Sequence, residues 1–224
     1  MIVSIEGIDG AGKNTLVTEL RRRTVAKVLC FPRYDSSVPA RLAARALHGE
    51  MGDLTDSISG MATLFALDRF GARDILDGFQ GGPELLLLDR YVASNAAYSA
   101  ARADDFSQCA WIAELEFGDL GLPVPDLQVL LDTSVDIAAT RAASREAADS
   151  SRTRDRYESD RGLQERTLSV YRRLAEESWY GPWLIVSPRD TGEAARLVLD
   201  ALATIRGSGE GTGSRKTDVT GKPG

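Results

Sequence analysis

The sequence predicts a three-layer α/β domain with a mainly parallel five-stranded sheet. Three observations carry this prediction. Short apolar runs alternate with longer helical patterns, the runs are continuously apolar, and a glycine-rich segment joins the first run to the first helix. Continuous apolar runs are typical of strands that are buried on both faces, as in a parallel sheet covered by helices. Ligands of such sheets bind at the carboxyl ends of the strands.

The apolar runs and the helical patterns give the order of the elements. We expect strands at residues 2–5, 26–31, 85–88, 127–131 and 183–186. We expect helices at residues 12–23, 38–48, 55–79, 93–102, 106–120, 135–144, 157–177 and 191–206. One domain then covers residues 1–206. Residues 207–224 are rich in Gly, Ser and Thr without apolar periodicity, and are expected to form a disordered tail.

The segment that follows the first predicted strand has the pattern of a phosphate-binding loop. Gly7, Gly12 and Lys13 match Gly-x4-Gly-Lys-[Ser/Thr], but Asn14 stands where the pattern has a hydroxyl residue. Such a loop presents backbone N–H groups and a helix N-terminus to an anion. The segment therefore predicts a P-loop NTPase fold that binds a nucleoside triphosphate. The predicted triphosphate-binding residues of this loop are Gly7, Ile8, Asp9, Gly10, Ala11, Gly12, Lys13, Asn14 and Thr15.

Two acidic residues are predicted at the ligand edge of the sheet. Asp9 lies inside the loop, where it would meet a magnesium ion or a sugar hydroxyl, or else cap the following helix. Asp89 ends the third strand and precedes Arg90. Asp89 is a candidate to hold magnesium through water while Arg90 grips a phosphate; an Asp–Arg ion pair that closes a turn is the alternative.

Residues with helical spacing suggest a pocket for a nucleotide base. Phe65 and Arg69 are four residues apart, and Asn95 and Tyr98 are three apart, so each pair shares a helix face. An aromatic ring, a guanidinium and an amide can stack on a base and pair with its edge. The alternatives are a core Phe with a surface Arg, and a purely structural Asn and Tyr.

The end of the second strand and the Arg-rich interval suggest further substrate contacts. Arg33 and Tyr34 follow the second strand, where a second substrate would meet them, and Phe31 is a ligand contact or a core residue. Residues 146–154 lack apolar anchors, and a mobile lid at about 145–155 is expected to close on a transferring phosphoryl group. A solvated pair of charged helices is the alternative. The arginines between Val135 and Tyr157 are Arg141, Arg145, Arg152, Arg154 and Arg156.

Composition excludes several classes of protein. The chain has 224 residues, 43% of them hydrophobic and 27% charged, as in ordinary globular domains. No apolar run is long enough to span a membrane, and the first strand stands where a signal peptide would lie, so we expect a cytoplasmic protein without a membrane partner. The net charge of −6 argues against a nucleic-acid partner. The single histidine leaves little for zinc clusters or Ser-His triads.

Taken together, these motifs resemble the thymidylate kinases, nucleoside-monophosphate kinases that make dTDP from dTMP. The resemblance runs from Met1 to about Arg206, and residues 62–69 and 89–101 are similar to mycobacterial-type members. It implies ATP as phosphate donor, dTMP as acceptor, Mg²⁺ as cofactor and a homodimer. Residues 106–117 or 55–79 would supply the dimer interface. The resemblance rests on the loop at 7–15, Phe31-Pro32-Arg33-Tyr34, Ala66-Leu67-Asp68-Arg69 and Asp89-Arg90-Tyr91-Val92-Ala93-Ser94-Asn95.

The resemblance also implies a role for each matching residue. Phe65 would stack on thymine, Arg69 would donate to O4 and Asn95 would face N3. Tyr98 would close against the sugar where a ribonucleotide carries its 2′-hydroxyl. The implied dTMP site comprises Asp9, Phe31, Tyr34, Phe65, Arg69, Arg90, Asn95, Tyr98 and Tyr157. The implied ATP site adds Arg141 and Arg145 to the loop, and the implied magnesium ligands are Asp9, Glu158 and Asp89.

The implied catalytic residues are Lys13, Asp9, Arg145 and Arg152. Some members of the family carry an Arg inside the phosphate loop, where this chain has Gly10, so the cation would come from Arg145 or Arg152 of the lid. Three rival functions stay open. They are another deoxynucleoside-monophosphate kinase, a P-loop binding module without transfer activity, and a nucleic-acid-dependent ATPase, which the charge disfavours.

Overall fold

A five-stranded parallel sheet forms the centre of the chain, as predicted. The computed structural model describes residues 1–148, 155–187 and 189–210, with side chains for 1–144, 155–187 and 189–207. Every neighbouring pair of strands is parallel, in the order β2-β3-β1-β4-β5. The strands are β1 (Ile2–Glu6), β2 (Lys27–Cys30), β3 (Leu86–Asp89), β4 (Leu127–Leu131) and β5 (Trp183–Val186).

The register of the sheet brings three strand ends to one place. Ile5 of β1 pairs with Asp89 of β3, and Asp89 pairs with Cys30 of β2. Because the strands are parallel, the residues that follow these three also meet at one edge. The segments that begin at Gly7, Phe31 and Arg90 therefore lie side by side, at the edge where sheets of this class bind ligands.

The expectation that all five strands are buried on both faces is wrong for two of them. Strands β1 and β4 are buried along their whole length, and β3 is buried except at Asp89. Strands β2 and β5 form the two edges of the sheet, and each has exposed or half-exposed residues. An edge strand has a neighbour on one side only, so helices cover it less completely.

Ten α-helices and one π-helix are found among the described residues. The helices are α1 (Lys13–Arg23), α2 (Val38–Leu47), α3 (Ile58–Phe70), α4 (Arg73–Asp77), α5 (Val92–Ala103), α6 (Gln108–Ala113), α7 (Val135–Ala148), α8 (Arg156–Ser159), α9 (Arg161–Glu176) and α10 (Thr191–Glu210), and the π-helix is Glu114–Asp119. Helix α5 packs against α3, α6 and α9.

The single helix expected at 55–79 is two helices, and Arg33 explains the break. Its guanidinium hydrogen-bonds to the backbone oxygens of Asp68 and Gly71, and its Nε lies 2.9 Å from the Asp68 carboxylate. These carbonyls end α3, so a side chain from another segment satisfies the end of the helix. Arg33 is thus occupied structurally and does not line the substrate cavity described below.

Two other expected helices are also interrupted. The helix predicted at 106–120 begins as α6 and continues as the π-helix Glu114–Asp119. The helix predicted at 157–177 is α8 followed by α9, because the Asp160 side chain accepts a hydrogen bond from the Leu163 N–H (2.9 Å) and starts a new helix.

The chain regions predicted to be a lid and a tail are only partly described. Helix α7 continues to Ala148, beyond the predicted end at 144, and helix α10 continues to Glu210, so the tail does not begin at 207. Residues 149–154 of the lid and 211–224 of the tail lie outside the described residues. Within the described part of the chain, no helix has the length and apolar character that crossing a membrane requires.

Gly10 is the point where helix α7 packs against the phosphate loop. Its φ of +81° lies in the left-handed region that favours glycine. A Cβ built on Gly10 would stand 2.2 Å from the carbonyl oxygen of Ala138, which belongs to α7. A side chain at position 10 would therefore displace α7 from the loop.

We predict that Gly10→Ala destabilises the fold more than Gly49→Ala does. Gly49 has a similar φ of +79° but no atom within 4 Å of a built Cβ, so it is a matched control for the backbone strain alone. Left-handed strain costs about 1–2 kcal/mol at either position, and the clash with Ala138 adds about 1–3 kcal/mol at Gly10. Urea unfolding of both variants measures the difference. Equal losses would show that α7 is not held against the loop.

Candidate active site

The phosphate loop joins β1 to α1 as the sequence predicts. Gly12 precedes α1 with a φ of +107°, a left-handed conformation that glycine adopts at little cost. Lys13 begins the helix, and its Nζ donates to the carbonyl oxygens of Gly7 (3.2 Å) and Ile8 (3.0 Å). The lysine ammonium therefore lies over the loop and beside the N-terminus of α1, where a phosphate would be bound.

Asp9 connects the loop to three other elements of the fold. Its carboxylate forms an ion pair with Arg90, which follows β3. It also accepts hydrogen bonds from the Tyr98 hydroxyl of α5 (2.6 Å) and from Nε2 of Gln164 of α9 (3.2 Å). The Asp9 backbone N–H donates to the Gln164 side-chain oxygen (3.2 Å). The expected alternative, a simple helix cap, is wrong, because α1 has no side-chain cap.

The charges around Asp9 keep it ionised despite its burial. Burial by itself would raise the pKa of Asp9, but the nearby Arg90 and Lys13 charges outweigh it and lower the pKa to about 2. The hydrogen bonds from Tyr98 and Gln164 act in the same direction. In turn, burial and the Arg90 charge lower the pKa of Lys13 to about 8. The protonation states of Asp9 and Lys13 therefore depend on each other.

Arg90 occupies an unusual backbone conformation at the end of β3. Its φ is +67°, in a region that non-glycine residues rarely adopt and that recurs at functional sites, and Arg90 is the cavity-lining member of the positive-φ non-glycine residues of the described chain. Its guanidinium donates to the Gly7 carbonyl oxygen (3.0 Å) and lies close to the Ser94 hydroxyl (3.3 Å). The predicted Asp–Arg pair at the strand end is thus replaced by an ion pair between Arg90 and Asp9 of the loop.

Glu6 lies beneath this network and is fully buried. The Ser94 hydroxyl donates to its Oε2 (2.6 Å), and the Tyr171 hydroxyl lies 3.3 Å from the same atom. Burial raises the pKa of Glu6 above its ordinary value. Ser94 therefore links Glu6 to Arg90 through one hydroxyl group.

One cavity beside the loop brings together every residue of the implied dTMP site. It opens between the ends of β1, β2 and β3 and the helices α3 and α5. Its lining includes all nine of these residues, namely Asp9, Phe31, Tyr34, Phe65, Arg69, Arg90, Asn95, Tyr98 and Tyr157. Phe31 is buried in the core, as one interpretation predicted, and it also lines the cavity, so its contact with a ligand stays a prediction.

At one end of the cavity, the lining residues Arg69 and Asn95 form a buried polar cluster with Glu116, which lies behind them. Arg69 forms a two-point ion pair with Glu116, through Nε (2.5 Å) and Nη2 (2.7 Å). Nδ2 of Asn95 donates to Glu116 (2.8 Å) and to the Ala62 carbonyl oxygen (3.0 Å). Arg69 is 3% exposed, so the alternative of a surface arginine is wrong.

Aromatic rings line the side of the cavity nearest α5 and α8. The Tyr98 and Tyr157 rings stack with centroids 6.1 Å apart and an angle of 16° between their planes. The Arg90 guanidinium lies 5.5 Å from the Tyr98 ring centroid, within the range of a cation–π contact. Phe65 of α3 is half-buried and faces the same cavity, which gives a flat ligand an aromatic surface.

The three implied magnesium ligands do not form one cluster. Asp9 and Glu158 line a second, smaller cavity beside the loop, whereas Asp89 does not line it. Asp89 instead lies close enough to Lys13 to oppose the lowering of the lysine pKa by burial and by Arg90. In the described part of the chain, no three His, Cys, Asp or Glu side chains are placed to hold a metal ion. The magnesium ligands implied by the resemblance stay a prediction, in which Asp9 and Glu158 lie near each other and Asp89 lies apart.

The predicted lid cations are described in part. Nη1 of Arg141 donates to the Ala11 carbonyl oxygen (2.9 Å), so this arginine contacts the phosphate loop. Arg145 lies one helical turn further along α7, but its side chain is outside the described set, as is all of Arg152. Arg156 forms an exposed ion pair with Asp56 (2.8 Å).

Four residues of the site were not found from the sequence. Glu6 ends an apolar strand just before the loop, which is the signal that singled out Asp89. Glu116 is an acid at helical spacing from the apolar Ile112, so a charge in an apolar stripe would have marked it. Gln164 and Tyr171 of α9 carry no comparable signal, because only the tertiary fold brings them to the loop.

Comparison with protein families and with individual relatives agrees with this geometry. The thymidylate kinase family model matches residues 5–181. The thymidylate kinase of Mycobacterium tuberculosis is 52% identical over 195 residues, which are 83% of this chain and 91% of the relative. The thymidylate kinase of Akkermansia muciniphila is 31% identical over 209 residues, 90% of this chain and 91% of the relative.

Solved structures share the fold. The thymidylate kinase of Candida albicans superposes with a TM-score of 0.71 at 21% identity and covers 92% of each chain. The deoxyadenosine kinase of M. mycoides superposes with a TM-score of 0.63 at 16% identity, covering 92% of this chain and all of the other. On the family-model match over residues 5–181 and these relatives, the chain belongs to the thymidylate kinase family and is a phosphotransferase.

Proposed function

We propose that the chain transfers the γ-phosphoryl group of ATP to dTMP, giving dTDP and ADP. One observation carries this function. The cavity that holds the implied dTMP residues and the loop that matches a triphosphate site share Asp9, so two nucleotides can meet at that residue. Family membership supports the same reaction.

The proposed dTMP orientation places the phosphate near Arg90 and the base near Arg69. Arg90 and Tyr34 hold the phosphate, Tyr98 closes against the sugar, and Phe65 stacks on thymine. The distribution of charge supports this orientation, because guanidinium groups lie at both ends of the cavity and aromatic rings lie along its sides. Phe31, Asn95 and Tyr157 complete the proposed set.

We assign Asp9 a positioning role in this reaction. The attacking group is a phosphate oxygen, which is already a competent nucleophile and needs no strong base. A pKa of about 2 makes Asp9 a poor base at neutral pH, which agrees with this assignment. Asp9 instead holds Arg90 and Tyr98, so that acceptor and donor phosphates meet in line.

Magnesium completes the proposal as cofactor. Mg²⁺ binds through one or two carboxylates together with substrate phosphates, so it does not require three protein ligands. Asp9 and Glu158, which line one small cavity beside the loop, fit that donor set. Asp89 acts at a distance through Lys13. When bound, the ion would neutralise charge on the phosphates. Asn14 is exposed on the first turn of α1 and is not needed as a ligand.

Further cations that neutralise the negative charge of the transferred phosphoryl group are proposed to come from α7 and the lid. Lys13 and the loop bind the ATP phosphates, joined by Arg141, Arg145 and Arg152. The contact between Arg141 and Ala11 supports this proposal, because it brings α7 to the loop. The carbonyl of Ala138 occupies the space beside Gly10, so an arginine from the loop itself has no room there.

The proposal includes a homodimer and a cytoplasmic location. Of the two candidate faces, 55–79 has the larger apolar exposure, since Leu67, Phe70 and Ile75 are 40–50% exposed. By contrast, Phe106 and Phe117 pack against the core. Sedimentation at micromolar concentration tests the dimer. ATP and dTMP are cytoplasmic metabolites, so the proposed reaction places the chain there.

We predict that the purified chain forms dTDP and ADP from dTMP and ATP, and that the reaction stops when EDTA removes Mg²⁺. A coupled assay with dTMP, dUMP and dCMP as acceptors measures the rate and selectivity. The order dTMP first and dCMP last is expected, because Arg69 and Asn95 suit a base with O4 and N3–H. No phosphorylation of dTMP would refute the proposed function, and preference for dCMP would favour another deoxynucleoside-monophosphate kinase.

We also predict that Asp9→Ala is far more damaging than Asn14→Ala. Loss of Asp9 releases Arg90 and Tyr98 and removes a magnesium ligand, which should lower kcat/KM by about 100-fold or more. Asn14 is exposed and lies away from this network, so its loss should cost less than about tenfold. Steady-state kinetics at saturating Mg²⁺ compares them. The reverse order would indicate that Asn14 ligates magnesium at the start of α1, where the P-loop pattern has a metal-ligating hydroxyl residue.

A further inference from the structure

Glu116 is a fully buried acid that touches two residues of the cavity without lining it. It lies on the π-helix Glu114–Asp119 and has 0% exposure. Its carboxylate accepts two hydrogen bonds from Arg69 and one from Asn95. π-Helices are rare and occur frequently at functional sites, where they turn a side chain in a direction that an α-helix would not allow.

The contacts of Asn95 allow only one orientation of its amide. Its two hydrogen-bond partners among the described residues are the Glu116 carboxylate and the Ala62 carbonyl oxygen, and both distances are to Nδ2. A backbone carbonyl can only accept a hydrogen bond, and an ionised carboxylate can only accept as well. The NH₂ group must therefore face Ala62 and Glu116, which leaves Oδ1 as the atom available to a ligand.

The guanidinium of Arg69 is held in the same way. Its Nε and Nη2 both donate to Glu116, in the planar two-point geometry that fixes an arginine most firmly. Within the described contacts this leaves Nη1 to donate to a ligand in the cavity. The base end of the cavity thus offers one acceptor, Oδ1 of Asn95, beside one donor, Nη1 of Arg69.

We propose that Glu116 is a specificity-determining positioning residue that fixes Asn95 and Arg69 in the acceptor-and-donor pattern that thymine and uracil require. This inference rests on the proposed function and names the residue behind its base selectivity. Thymine and uracil present N3–H as a donor and O4 as an acceptor, which match Oδ1 and Nη1. Cytosine presents N3 as an acceptor and N4–H₂ as a donor, so both contacts would be mismatched.

Burial makes this pattern costly to change. Asn95 and Arg69 are 5% and 3% exposed, so water cannot readily replace a lost partner. For cytosine to bind, Asn95 would have to turn its amide and set Oδ1 against the Ala62 carbonyl and the Glu116 carboxylate, which are acceptors. A site with fixed, buried hydrogen-bonding groups rejects a mismatched ligand because those groups are left unpaired.

The test is the selectivity of Glu116→Gln for three acceptors, dTMP, dUMP and dCMP, with ATP and Mg²⁺. Glutamine keeps the size of the side chain but replaces one acceptor oxygen with an NH₂ group that only donates. Position 116 then no longer accepts from both Arg69 and Asn95, and only the Ala62 carbonyl still orients the Asn95 amide. We expect kcat/KM for dTMP and dUMP to fall by about tenfold or more, mainly through KM, while dCMP changes by less than about twofold or improves. A general weakening of the fold would lower all three together.

Two further variants keep the test decisive. Glu116→Asp retains the charge and should shift the dTMP-to-dCMP ratio in the same direction by a smaller factor, and it replaces Glu116→Gln if that variant does not fold. Asp68→Asn is the matched control, because Asp68 is equally buried on α3 but pairs with Arg33 outside the cavity. It should alter all three acceptors by one common factor.

The outcomes separate this inference from the proposed function. A wild-type enzyme that phosphorylates dTMP, together with an unchanged dTMP-to-dCMP ratio in the folded Glu116 variant, would overturn the role of Glu116 and leave the function standing. A wild-type protein that does not phosphorylate dTMP would overturn the function itself.

Discussion

The ion pair between Asp9 and Arg90 is the interaction on which the rest of the site depends. Asp9 belongs to the phosphate loop after β1, and Arg90 follows β3, so the pair joins the two strand ends that the register of the sheet sets side by side. Tyr98 of α5 and Gln164 of α9 bind the same carboxylate. Four elements therefore meet at one side chain, and the donor and acceptor halves of the site are held together before substrates bind.

A second buried ion pair, between Arg69 and Glu116, organises the opposite end of the cavity. Buried charges are unfavourable unless they are paired and hydrogen-bonded, and both pairs meet that condition within the described contacts. Each pair consists of a cavity-lining arginine and an acid that comes from a different element. In our account the first pair serves the phosphate and the second serves the base, and both arginines line the same cavity.

Local pattern was enough to predict the layers of the fold and many residues of the site. The apolar runs at β4 and β5 gave their observed bounds, and the phosphate loop follows β1 as expected. The nine residues implied by the resemblance line one cavity. What local pattern missed depends on contacts between distant residues. Arg33 ends α3 from 35 residues away, and Glu116 pairs with Arg69 across 47 residues. No window of sequence contains both members of such a pair.

The central claim, that Asp9 and Arg90 act as one coupled unit, is tested most directly by a double-mutant cycle of unfolding free energies. Urea unfolding of the wild type, Asp9→Asn, Arg90→Gln and the double variant gives the coupling energy of the pair. Each single change leaves the other charge without its partner, so the double variant should lose less stability than the sum of the two, with a coupling of about 1–3 kcal/mol. Losses that add, with no coupling beyond about 0.3–0.5 kcal/mol, would contradict the claim.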